Sequence, residues 1–116
     1  MFRIIAAAAA LLALMVTSEA RGFNCGRYQR WLNGLTAPQY RDLNLARSWL
    51  RLPHTTAAPG AIVVQSRHGR ALGGGPGGHV SRIERLTGTC TAIVRDNRGT
   101  YERNICRNLL AYVRPR

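Results

Sequence analysis

Residues 59–86 read PGAIVVQSRHGRALGGGPGGHVSRIERL, and the fold turns on how this stretch is divided. Residues 60–66, GAIVVQS, form a short apolar, β-branched run of the kind that fills a buried strand. Residues 67–78 are a glycine-rich turn, and residues 79–86, HVSRIERL, read as the returning strand of a hairpin with a long tip. A single histidine, His79, opens that second strand directly behind five glycines and a proline. Without side chains in front of it, the ring is open to a polymeric substrate.

Downstream, residues 89–106, TCTAIVRDNRGTYERNIC, read strand, turn, strand, with Asp96, Asn97, Arg98 and Gly99 as the turn. Residues 92–95 and 109–113 supply the remaining strand candidates. The chain has three cysteines. Cys90 and Cys106 stand at the two ends of the strand–turn–strand segment and are expected to pair, leaving Cys25 free; the alternative is that Cys25 pairs with one of them or bridges to another chain. Closing a loop of about 15 residues contributes on the order of 3 kcal/mol by restricting the unfolded chain.

Upstream, NCGRYQRWLNG begins with a cap-like Asn24 and carries Tyr28, Trp31, Leu32 and Leu35 at the spacing of one helical face. Cys25 falls in the first turn of that helix, where free N–H groups favour a thiolate over a thiol. Residues 39–52 read as a second helix with apolar positions at Tyr40, Leu43, Ala46, Trp49 and Leu50, ended by Pro53. Trp31, Trp49 and Tyr40 are expected in the core. HTTAAPG, residues 54–60, reads as a loop. Helices first and strands after make the class α+β, two N-terminal helices packed on a small antiparallel sheet.

Residues 1–20, MFRIIAAAAALLALMVTSEA, combine a basic start, an apolar run and a small-x-small ending, the three parts of a secretory signal peptide. The apolar run is shorter than the roughly 20 residues of a membrane span, so no transmembrane anchor is expected. A single domain over residues 21–116 remains, exported to the periplasm or secreted, and expected to act as a monomer. All seventeen basic residues are arginine; Arg3 and Glu19 leave with the leader, so the formal charge stays at +12. Such a surface attracts polyanions. Export and the scatter of the arginines argue against nucleic acid as the physiological partner and for an acidic cell-envelope polymer. The isolated histidines show no metal-ligand spacing, and neither a metal nor another cofactor is expected.

Cys25 at the start of a helix, His79 at the start of a strand, and a polar residue at the end of the next strand together describe a nucleophile, its base and the group that orients the base. The order and the local sequences NCGRYQRWL, LARSWL, PGAIVV, GGHVSRI and VRDNRG resemble the CHAP and NlpC-type families of cysteine amidases and peptidases, including small exported alphaproteobacterial members. The resemblance spans about residues 24–115. It implies a papain-like fold and cleavage of amide or peptide bonds in peptidoglycan, with Cys25 as nucleophile and His79 as base. For the third residue it leaves the adjacent pair Asp96 and Asn97. On a strand these face opposite ways, so one of them reaches His79. The Asn97-Arg98-Gly99 sequence matches the family pattern better and favours Asn97.

His68 is the rival to His79, since it follows a strand; His54 lies in a loop with no evident role. A binding class also fits the charge, a domain without turnover that holds cell wall or anionic lipid through its arginines. A cationic antimicrobial protein is a third class.

Overall fold

The computed structural model describes residues 24–66 and 77–116. The expected leader (1–20), the tip of the glycine-rich turn and His68 lie outside the described residues.

A two-turn helix, α1 (Cys25–Leu32), opens the described chain. Asn24 caps it, its side chain accepting from the Arg27 N–H at 2.7 Å. Two 3-10 segments, Pro38–Asn44 and Ala46–Arg51, follow. Six strands then complete the chain: β1 (His54–Thr55), β2 (Ile62–Ser66), β3 (Gly78–Leu86), β4 (Thr91–Asp96), β5 (Gly99–Asn104) and β6 (Leu109–Val113). They form one antiparallel sheet in the order β1-β6-β2-β3-β4-β5.

This corrects the expected architecture. Among the described residues, the papain-like plan of two helices on a small sheet is replaced by a six-stranded sheet that dominates, with one short α-helix beside it. The second helix expected over residues 39–52 is broken at Leu45, whose φ of −93° and ψ of 127° are extended. Its turns close through three-residue bonds, such as Leu45 N–H to Asp42 O and Leu52 N–H to Trp49 O. The Leu43 carbonyl, which a continuous α-helix would keep for its own ladder, accepts instead from the Trp49 indole at 2.7 Å. The expected loop at His54 contributes β1, paired to β6.

The inward face of α1 also differs from expectation. Gly26 and Gln29 are buried, while Trp31 is 58% exposed. A side chain at Gly26 would meet the Asn44 carbonyl at 2.6 Å, so the helix approaches the 3-10 layer through a residue without one.

Two apolar clusters lie on the two sides of the sheet. Ile62, Val64, Val80 and Val113 pack against Leu35, Leu43, Ala46, Trp49 and Leu52 of the helical layer. On the other side, Ala61, Val63, Ile83, Ala92, Val94 and Ile105 pack inside the curl of the sheet. The curl is tight enough for Gln65 on β2 to donate to the carbonyls of Asn104, the last residue of β5, and Arg107 beyond it, at 3.0 and 2.7 Å. The Cys90–Cys106 disulfide is formed and ties the start of β4 to the chain leaving β5, a separation of 16 residues. Among the described residues, no helix is long and apolar enough to cross a membrane.

Candidate active site

β2 and β3 pair with Gln65 opposite His79 and Ser66 opposite Gly78, so the glycine-rich turn delivers His79 into the sheet at its first residues. β3 and β4 pair through Arg82 and Arg95. Continuing that register places Asp96 diagonal to His79 on one face. Along β4 the buried positions are Ala92, Val94 and Asp96, and this alternation carries the last of them inward.

Accordingly Asp96, fully buried, meets the His79 ring, with Nε2 to Oδ2 at 2.7 Å. Of the two candidates for third residue, Asp96 occupies the position on the ring. The preference for Asn97 came from its turn sequence; in the structure Asn97 follows the end of β4 and lines the cleft mouth.

Cys25 is free and half-buried against the helical layer, where α1 meets the first residues of β3. Its Sγ lies 3.8 Å from the carbonyl of Gly78, the residue before His79, and Cys25 and His79 line the same cleft. Gly78 itself admits this approach: a side chain there would crowd the Gln65 carbonyl at 3.1 Å and Ala46 at 3.2 Å. Because Nε2 is committed to Asp96, the ring nitrogen left for the sulfur is Nδ1.

The electrostatics follow from these contacts. Burial pushes the Cys25 thiol up, but the His79 ring, by hydrogen bond and charge, and the N–H groups of Val80 and Gly26 outweigh it and hold the pKa below the ordinary thiol value. Burial pulls His79 down, and its bonds to Asp96 and Cys25 reverse that and raise it. Burial likewise opposes ionisation of Asp96, yet its contacts with His79, the Tyr101 hydroxyl and the Arg98 N–H lower its pKa overall. These donors lie at 2.6 Å for Tyr101 and 2.8 Å for Arg98. The two shifts move Cys25 toward the thiolate and His79 toward the imidazolium, beside a carboxylate that favours ionisation.

Three residues of this site carried no sequence signal that singled them out. Tyr101 and Arg103 alternate on β5 and face the same side as Asp96; Arg103 Nη1 donates to the Tyr101 hydroxyl at 3.0 Å. Arg103 Nε donates to Gln65 Oε1 at 2.8 Å, so a continuous hydrogen-bonded chain runs from Gln65 through Arg103, Tyr101 and Asp96 to His79, which lines the cleft with Cys25. The period-2 pattern of GTYERN was the available clue. His54 takes no part; its Nε2 contacts the Leu50 carbonyl at 2.9 Å.

The relay borders an open cleft of about 1080 Å³, lined by Cys25, Leu45, Gln65, His79, Tyr101 and Arg103 among others. Among the described residues, no group of three or more His, Cys, Asp or Glu gathers to hold a metal. Compared with protein-family models, curated proteins and solved structures, the chain matches none.

Proposed function

We propose that the protein is an exported cysteine hydrolase that cleaves amide or peptide bonds in peptidoglycan through Cys25, His79 and Asp96. The observation that carries the reading is the hydrogen bond between a buried carboxylate and a histidine that lines one cleft with a free cysteine. The substrate class rests on the resemblance to CHAP and NlpC-type enzymes and on the acid-seeking charge of +12.

In this mechanism His79 Nδ1 takes the thiol proton and the Cys25 thiolate attacks the scissile carbonyl carbon. Charge builds on the carbonyl oxygen as the carbon–sulfur bond forms. We assign its stabilisation to the N–H groups in the first turn of α1, the end that carries Cys25. The imidazolium then gives its proton to the departing amine nitrogen as the carbon–nitrogen bond breaks. Water, deprotonated by His79, attacks the resulting thioester and frees the acid and the thiol. Throughout, Asp96 holds the Nε2 proton and thereby fixes which nitrogen faces the sulfur.

Cys25→Ala and His79→Ala are each expected to abolish release of soluble fragments from purified peptidoglycan. Release that survives both substitutions overturns the reading. Salt-sensitive retention on peptidoglycan without any release by the native protein points instead to a binding module.

A further inference from the structure

Arg103 is a half-buried cation whose protein partners are both neutral. Its Nε and Nη1 donate to Gln65 Oε1 and the Tyr101 hydroxyl, and among the described residues no carboxylate lies within ion-pair distance of it. Nη2 has no protein acceptor among those residues. A guanidinium partly withdrawn from bulk water and left without an anion is poised for one that arrives with a ligand.

The mount is rigid. Gln65 is almost fully buried and spends its own amide on the carbonyls of Asn104 and Arg107, so the oxygen that holds Arg103 cannot swing away. Tyr101 fixes the other edge, and its hydroxyl is in turn committed to Asp96 at 2.6 Å. The guanidinium therefore stands three short hydrogen bonds from the His79 ring, in the same cleft as Cys25. Arg98 and Arg107 line that cleft as well, against a single lining acid among the described residues, Glu102. The Asp96 carboxylate does not neutralise this excess for a ligand, because it is fully buried.

We propose that Arg103 is the centre of a carboxylate-binding subsite beside the nucleophile, so that the cleft selects acyl groups carrying a free carboxylate, as in an acidic peptide, over neutral ones. This rests on the cysteine-hydrolase reading for its link to turnover, but the subsite itself is measurable without turnover. Close contact of the Arg103 charge with the relay is also felt at His79, whose pKa it opposes raising.

The test compares alkylation of Cys25, the free thiol, by iodoacetate and by iodoacetamide. In both reactions the thiolate forms a carbon–sulfur bond and iodide leaves; the reagents differ in the carboxylate. The His79 imidazolium attracts that carboxylate in every variant, so the comparison between variants isolates Arg103. Arg103→Gln is expected to lower the ratio of the iodoacetate rate to the iodoacetamide rate about fivefold, the size of one charge acting across a partly solvated cleft. Arg103→Lys, which keeps the charge, is expected to retain most of the ratio. Arg85→Gln, outside the cleft, is expected to change it less than about twofold by the same screening. In the native protein, inactivation by iodoacetate is expected to saturate with concentration while that by iodoacetamide stays linear, which needs no variant to fold. An unchanged ratio in Arg103→Gln, an equal drop in Arg85→Gln, or linear kinetics with both reagents overturns the subsite. The iodoacetamide rate alone reports the nucleophile, so loss of the hydrolase reading and loss of the subsite are distinguishable.

Discussion

Gln29 Nε2 donates to the main-chain oxygen of Arg95 at 2.7 Å, pinning α1 to β4 one residue before Asp96. The helix that carries the nucleophile is thereby registered against the strand that carries the carboxylate. Gln29 is fully buried, and Asn33 donates to its side-chain oxygen at 3.2 Å, so the amide is held from both ends. An amide buried on a helix face is costly unless bonded in this way. Here it fixes the distance over which His79 must bridge Cys25 and Asp96.

Gln29→Leu is expected to strip the Arg95 carbonyl of this donor while filling similar space. The penalty is about 1–3 kcal/mol of stability, measured by denaturant unfolding. The Cys25 alkylation rate near neutral pH is expected to fall as well, because the helix loses its register. A variant as stable and as reactive as the native protein would remove the pinning role.

Gly26→Ala is the second prediction, and its sign is opposite to helix propensity. In an open helix the change gains roughly 1 kcal/mol. Here the new methyl would press on the Leu43 and Asn44 carbonyls, which are backbone and cannot give way cheaply. A net loss of about 1–3 kcal/mol is expected from the forced displacement of α1. Thermal unfolding reads it directly, and a stabilised variant contradicts the close approach.

Asp96→Asn keeps the shape of the third residue and removes its charge. The expected result is a fall in hydrolysis of at least about 100-fold, since an amide no longer stabilises the imidazolium and can present its NH₂ to Nε2. Stability responds with a definite sign. The folded pKa of Asp96 lies below its unfolded value. Its contribution is therefore present above the unfolded carboxylate range and disappears as pH falls through the folded value. The native protein is expected to lose stability over that acid window more steeply than Asp96→Asn, as followed by unfolding at a series of pH values.

Much of the sheet could be read from local pattern. The β-branched run before the glycines and the apolar run at Leu109 mark β2 and β6 because buried strands require such residues, and cysteine positions alone pointed to the Cys90–Cys106 bond. The helical layer is harder to read because tertiary contacts decide it. Tyr40, Leu43, Ala46, Trp49 and Leu52 recur every three residues, the period of a 3-10 turn, and that signal is easily taken for an α-helical stripe. At α1 the inward face is set by the space beneath Gly26, which leaves Trp31 outside. At the site, the turn sequence points to Asn97, whereas the alternation of Ala92, Val94 and Asp96 points to Asp96. The strand pattern prevails because the face of a strand is fixed by its pleat.

In the proposed mechanism Cys25 and His79 share one proton as a thiolate–imidazolium pair. Its most direct test is the pH dependence of Cys25 alkylation by iodoacetamide in the native protein and in His79→Ala. With the Cys25 pKa lowered and the His79 pKa raised from their ordinary values, the native rate is expected to rise and level off below the ordinary thiol range, with a further change as the imidazolium loses its proton. His79→Ala is expected to shift the rise upward, toward or beyond the ordinary thiol range, because burial then acts on the thiol without the ring to oppose it. Superimposable profiles, both rising as an ordinary cysteine does, would contradict the pair and with it the proposed mechanism.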